Sequence, residues 1–371
     1  MKKKIIFSVA AGASIFLLLA NMNRPVSTRP GFKFGAPEIK SISQLAFGPS
    51  GTLFLGDSKS ASIFAIDTKD VDAVDKSAAV EVKNIDQKIA GFLGTEAKNI
   101  TITDMKVNPI SKKIYCAVQV GDGTPALIRV SNGSIEAVDL KNVGYSDISL
   151  NNAPAEDAKN KWGRPLRLSA IEDLNYSDGK VLVSGLSNQE FSSTFRSIPY
   201  PFSKAQDQSS LEIYHAAHGR YETEAPIETF TTASLNGKTF LIASYTCTPL
   251  VLFPMDELKP GVHVKGRTVG EFGAGNRPLD MITMKKDNAL FLIIANSDRP
   301  VMKVKYKDIE AYQGALTTKV QEVFSTAGVP YISFPIVNVL QLDKLDDTQF
   351  VYLQRRSNGD LDLMTQNNQF L

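Results

Sequence analysis

Cysteine is nearly absent from this chain, which has only Cys116 and Cys247 among its 371 residues. A disulfide needs Cα atoms within about 7 Å, and the repeat described below sets these two in its second and fourth units, which would not adjoin around a ring. Both are expected as free thiols, with the fold resting on core burial, for which a 43% hydrophobic composition provides the material. A charge excess of either sign is also missing. Lys and Arg total 41 against 39 Asp and Glu, and a net charge of +2 gives no electrostatic footprint for nucleic acid, which is excluded as a partner. Short catalytic signatures are missing too: there is no Gly-x-Ser-x-Gly elbow, phosphate-binding loop, dinucleotide glycine fingerprint, His-Glu-x-x-His or Cys-x-x-Cys-His. Cofactor-driven oxidoreductase chemistry therefore has no support in the sequence.

One apolar run does occur near the N-terminus. Lys2, Lys3 and Lys4 precede the segment Ile5 to Ala20, and polarity returns at Asn21, the pattern of an export signal. Residues 1–24 are read as a signal peptide cleaved near Ala20, or alternatively as an uncleaved membrane anchor, the only contact with a membrane that the sequence offers. Residues 25–36 follow as a linker. The expected location is periplasmic or extracellular.

Beyond the linker, a polar residue returns at the head of an apolar strand six times, at Gln44, Asp104, Asp173, Thr229, Asp280 and Asn338, with spacings of 60, 69, 56, 51 and 58 residues. Each unit runs strand, polar turn, strand, as in Gln44-Leu45-Ala46-Phe47, Pro49-Ser50-Gly51, Thr52-Leu53-Phe54-Leu55. The linkers into a third strand align as well, with Asp57-Ser58, Thr124-Pro125, Thr248-Pro249 and Asn296-Ser297. Fourth strands are predicted at Val80-Glu81-Val82, Ile135-Glu136-Ala137-Val138, Leu211 to Tyr214, Thr268-Val269-Gly270 and Val320 to Val323, and the sixth unit lacks one. Short strands repeating at this period predict an all-β fold, a six-bladed β-propeller of four-stranded blades over residues 37–371. An N-terminal strand at Pro37 to Lys40 is expected to complete the last blade and close the ring. The alternative is a seven-bladed ring with an extra blade between Asn142 and Arg167.

The unit Ile42-Ser-Gln-Leu-Ala-Phe-Gly-Pro-Ser-Gly-Thr-Leu-Phe-Leu-Gly-Asp-Ser58 and its copies resemble the six-bladed propellers of the NHL, SMP-30 lactonase and virginiamycin B lyase type, over about residues 37–366. The resemblance implies that first strands line a central channel, and that the loops between second and third strands form a rim with the connections between blades. Lactonases of this type bind calcium through a first-blade glutamate with Asn and Asp; here the first-blade residue is Gln44.

On that frame, Asp104, Asp173 and Asp280 would encircle the channel and offer oxygen ligands to a divalent cation, Ca²⁺ in the first place. The alternative is that each carboxylate bonds backbone at its own blade junction. A second constellation is Tyr214-His215-Ala-Ala-His218-Gly-Arg220-Tyr-Glu222, where His215 and His218 can serve as general base or metal ligand, and where packed or surface histidines are the plainer account. Arg277 would hold an anionic group, and Asp57, Arg220, Glu222, Tyr245, Asn296 and Arg299 complete the rim set. Cys247 needs a base beside it to be a nucleophile; the repeat puts it one loop away from the His215 to Glu222 segment, and it is expected to be inert. Two functions follow: a monomeric exported propeller that binds a small anionic or carbohydrate-like ligand, or an envelope protein, at its rim; or a metal-assisted hydrolase or lyase acting on a lactone, ester or uronic-type substrate, with His218 or His215 moving the proton.

Overall fold

Second strands such as Thr52–Asp57, buried along their whole length, are apolar on both faces because each blade is packed between two others. Hairpin turns use residues that tolerate positive φ: Asp178-Gly179 and Asn236-Gly237, just before second strands, and Asn132-Gly133, between Pro125–Ser131 and Ser134–Ala137, each carry two consecutive positive φ angles, the tight turn that matches strand twist. The computed structural model describes residues 29–74, 77–322 and 324–371; the signal or anchor segment 1–24 lies outside the described residues. Among the described residues no helix is long and apolar enough to cross a membrane. Six sheets make a six-bladed propeller of three to six strands per blade.

The inner strands are Gln44–Phe47, Ile100–Val107, Asp173–Ser177, Thr229–Leu235, Pro278–Lys286 and Val339–Lys344, heading blades 1 to 6 in chain order. Their order around the ring is not the chain order. Blade 1 adjoins both blade 2 and blade 3, blades 3, 4, 5 and 6 follow in turn, and blade 6 meets blade 2. Each seam holds one hydrophobic cluster: Leu45 with Tyr115 between blades 1 and 2, Phe54 with Ile198 between 1 and 3, and Met105 with Leu353 between 2 and 6. The other three seams are filled by Phe195 with Phe230, Leu252 with Leu292, and Ile293 with Phe350.

This order follows from how the chain returns. After blade 2, the strand Val143–Ser149 crosses back and pairs antiparallel with Ser62–Asp67 as the fourth strand of blade 1. Residues 142–167 therefore give a strand of blade 1 and a connecting loop, and no seventh blade. The strand Lys33–Gly35 pairs outside it, Phe34 opposite Gly144, so the N-terminal segment extends the first blade and does not complete the last. Closure of blade 6 comes instead from the predicted first-unit strand: Val82 exchanges two backbone hydrogen bonds with Leu363, at 2.8 and 2.9 Å. The fourth strand of blade 5 is Ile332–Ser333, downstream of the expected Val320 segment. Cys116 and Cys247 are both free.

Candidate functional site

The polar ring acts first as a set of staples. Asp104 accepts from the Leu45 N–H at 2.7 Å and from its own neighbour Met105 at 2.7 Å, tying blade 2 to blade 1. Asp173 accepts from Phe230 N–H at 2.9 Å and Thr229 Oγ1 at 3.1 Å, tying blade 3 to blade 4. Asp280 accepts from Leu342 N–H at 3.0 Å, and Asp343 from Val107 N–H at 2.6 Å, tying blade 5 to 6 and blade 6 to 2. A buried carboxylate that accepts backbone N–H groups is satisfied without a ligand.

A lysine stands among them. Lys106, on the inner strand of blade 2, puts Nζ 3.3 Å from Asp280 Oδ1 and 3.9 Å from Asp104 Oδ1, with its side chain only 14% exposed. Burial pushes the carboxyls of Asp104 and Asp343 up to about 6 and that of Asp173 up to about 7, against the pull of Lys106. The same ring of negative charge holds the lysine well above its ordinary value, overcoming its own desolvation. Lys106, Asp173, Asp280 and Asp343 line a cavity of about 810 Å³ that opens at the hairpin end of the channel, where Ile110, Lys112, Asp346 and Asp347 stand. Neither histidine of the predicted site nor Arg277 lines it.

In blade 6 the ring position belongs to Gln341, not Asn338. The inner strand carries a bulge between Val339 and Gln341, matching the bulges just before Asp104 and Asp280. Asn338 sits ahead of the strand at φ 57°. Lys106 and Asp343 were not singled out from the sequence, although each lies two residues beyond a ring position and so faces the same side of its strand.

The second arrangement lies at the opposite, blade-junction end, on the seam between blades 3 and 4. The outer strand Asp207–His215 ends at His215; the chain reverses through Gly219, at φ 70°, and returns as Arg220–Glu222, with His215 opposite Arg220. The reversal brings one carboxylate under two imidazoles. Glu222 Oε2 is 2.9 Å from His215 Nδ1, and Glu222 Oε1 is 2.7 Å from His218 Nδ1 and 3.0 Å from Arg220 Nε. Burial works against ionisation of Glu222, but hydrogen bonds from His215 and His218 outweigh it and bring its carboxyl down to about 2. A carboxylate at Nδ1 holds the proton there and leaves the Nε2 lone pair of each ring free.

His215 is 2% exposed, and its Nε2 has no hydrogen-bond partner. The nearest acid, Glu271 Oε2, is 3.9 Å away. Glu271 is itself fully buried, accepts from Ala217 N–H at 3.1 Å through Oε2, and leaves Oε1 unpartnered. Burial raises its carboxyl to about 7. Cys247 reaches the same place from blade 4. It sits at φ 69° beside Thr248 at φ 59°, in a loop fixed by Cys247 N–H to Asn276 O at 2.7 Å and Thr248 Oγ1 to Gly273 O at 3.1 Å. Two consecutive non-glycine residues in the left-handed region are strained backbone held by their surroundings. One nitrogen of each histidine and the sulfur of Cys247 lie within 4.8 Å of one another.

The remaining predicted residues are engaged locally. Arg277 binds Glu228 at 2.6 Å and Glu172 at 3.5 Å, and Glu228 also accepts from Thr246, next to Cys247, at 2.6 Å. Arg299 donates to Ala274 O at 3.3 Å. Asp57 is buried and accepts from Lys40 N–H and Ser41 Oγ; Asn296 is buried against Asn276; Tyr245 is 1% exposed. The structure thus gathers His215, His218, Glu222 and Arg220 with Cys247 and Glu271, and separates them from the three aspartates. The sequence carried the His-x-x-His signal, and the repeat set Cys247 one loop away from it, but nothing linked Glu271, 53 residues beyond His218, to that loop.

No family model matches the chain, and no curated protein matches it. Similar solved structures include a chain of the mitotic checkpoint complex, at 9% identity and TM-score 0.34 over 98% of both chains. An endo-arabinanase of family GH43 from Bacillus licheniformis matches at 12% identity and TM-score 0.35, over 72% of this chain and 94% of its own. Drosophila semaphorin 1b, extracellular domains 1–2, matches at 9% and 0.36, over 90% of this chain and 84% of its own. At these scores no family or activity passes from them to this chain.

Proposed function

We propose that this propeller holds one transition-metal ion of the zinc class at the rim between blades 3 and 4, and acts through it. The observation that carries the reading is the convergence of His215, His218 and Cys247 within 4.8 Å, with Glu222 occupying Nδ1 of both rings. Two imidazoles and a thiolate suit zinc and its neighbours and suit calcium poorly. A carboxylate behind a ligating histidine is the usual outer support of such a site. The aspartate ring, the expected calcium site, supports metal binding less well, because its oxygens are bonded to backbone N–H groups and to Lys106.

Three protein ligands leave a fourth position, and the partly exposed His218 and Cys247 put it on the solvent side. There a bound ion supplies Lewis acidity, which favours a metal-assisted hydrolase or lyase over a purely structural role. The likeness of the repeat to lactonase and virginiamycin-lyase propellers agrees with that class of chemistry. Glu271, with an unpartnered oxygen beside His215, is the group placed to accept a proton or to fill the coordination shell. Export, suggested by residues 1–24, would bring the site into contact with envelope substrates.

Metal analysis tests the reading. Protein purified without chelator and loaded with zinc is expected to retain one equivalent through gel filtration and to melt higher than apoprotein, whereas Cys247→Ser and His218→Ala lose both effects. Retention of no metal by the parent protein, with no change in melting, overturns it.

A further inference from the structure

A second anomaly lies on the other side of blade 3. Arg196, in the third strand Ser193–Pro199, is 0% exposed. Its Nη2 donates to Leu186 O at 3.2 Å and to Asn151 O at 3.4 Å, while Nε and Nη1 have no partner. No carboxylate pairs with it among the described residues. A buried guanidinium with two idle donors and no counter-ion is costly, and native proteins rarely leave one without a reason. Burial alone pulls it down to about 10, so it stays a cation at neutral pH.

Above it is a groove of about 430 Å³ whose walls include Asn151, Asn152, Gln189, Gln206, Gln208 and Phe191. Arg196 sits directly across the strand ladder from Gln208, on the same face, and beneath the Asn151 carbonyl. Phe191 is 36% exposed and packs 4.2 Å from the His263 ring, which Ser210 and Glu212 hold at 2.9 and 3.0 Å. Side-chain amides present paired donors and acceptors at the spacing of sugar hydroxyls, and a fixed aromatic face offers the apolar side of a pyranose ring a surface. Glu190, also in the groove wall and exposed, disfavours an anion free to lie anywhere in it and leaves the carboxylate one favourable place, over the guanidinium.

We propose that this groove binds a sugar acid, with the hydroxyls on the amides, the ring against Phe191, and the carboxylate taken by the idle Nε and Nη1 of Arg196 once the exposed Asn151-Asn152 turn swings aside. The site is separate from the metal centre and stands whether or not that centre is occupied.

Isothermal titration of the full chain with glucuronate, glucose and acetate tests it, in the presence and absence of EDTA. Glucuronate is expected to bind at least tenfold more tightly than either glucose or acetate, unaffected by EDTA. Phe191→Ala and Gln208→Ala each weaken glucuronate about tenfold. Arg196→Met abolishes the preference for the acid over glucose and, having removed an unpaired buried charge, melts no lower than the parent. Equal binding of glucuronate and glucose, equal binding of glucuronate and acetate, no binding at all, or a preference that survives Arg196→Met each overturn the proposal. If Arg196→Met does not fold, the Phe191 and Gln208 variants decide: unchanged glucuronate affinity in both overturns it.

Discussion

Lys106 occupies the point of the channel where the carboxylates of four blades face inward, and its charge decides how those blades tolerate one another. A carboxyl whose folded-state pKa is raised binds its proton more tightly folded than unfolded, so its contribution is fully present below about pH 4 and is lost as pH rises through the folded value. For Asp104 and Asp343 that value is about 6, and for Asp173 about 7. Between pH 4 and 7 these groups therefore cost the fold stability as they ionise, and Lys106 offsets the cost. Replacing Lys106 with Met is expected to destabilise by about 3 kcal/mol or more at pH 8, the scale of breaking a buried charge pair, and by less at pH 5, where Asp104, Asp343 and Asp173 regain their protons. Urea unfolding at the two pH values checks this; an equal loss at both would show that the lysine contributes packing alone. The aspartates were legible in the sequence because they recur with the repeat. Lys106 and Asp343 were not, since each appears once and gains its meaning only when the ring brings the two together.

The segment Val80 to Val82 shows how far an element can be read and where the reading stops. Its alternation marks a short strand, and a strand-like bridge it is, but no residue in it states which blade receives it. The 32 residues from Thr68 to Asn99 are long enough to carry it past blade 2 to the open edge of blade 6, where Val82 pairs with Leu363 and Thr365 Oγ1 meets the Val80 N–H at 2.7 Å. The same limit applies to Val143–Ser149, which the repeat does not predict as a strand and which returns to pair in blade 1. Val82→Pro removes the N–H that bonds Leu363 O together with a buried apolar contact, and is expected to cost about 2 kcal/mol or more. Lys33→Pro, on the outermost strand of blade 1, is expected to cost less than about 1 kcal/mol. Comparable losses in chemical denaturation would mean that the N-terminal strand holds the ring as much as this bridge does.

At the scale of the whole molecule, the repeat period gives the number of blades and leaves their circular order open, because spacing along a chain carries no information about neighbours across it. Six seams with six apolar clusters settle that order with blade 1 between blades 2 and 3. It is this closed ring, through the packing of blade 3 against blade 4, that brings Cys247 to His215 and His218. The histidine pair was visible as a motif; the cysteine proposed as its third ligand comes from a different blade, beyond any local pattern. The most direct measurement is zinc-edge X-ray absorption of the protein loaded with one equivalent of the metal. One sulfur at about 2.3 Å and two imidazole nitrogens at about 2.0 Å are predicted in the first shell; a shell of oxygen alone, without sulfur, would contradict the account.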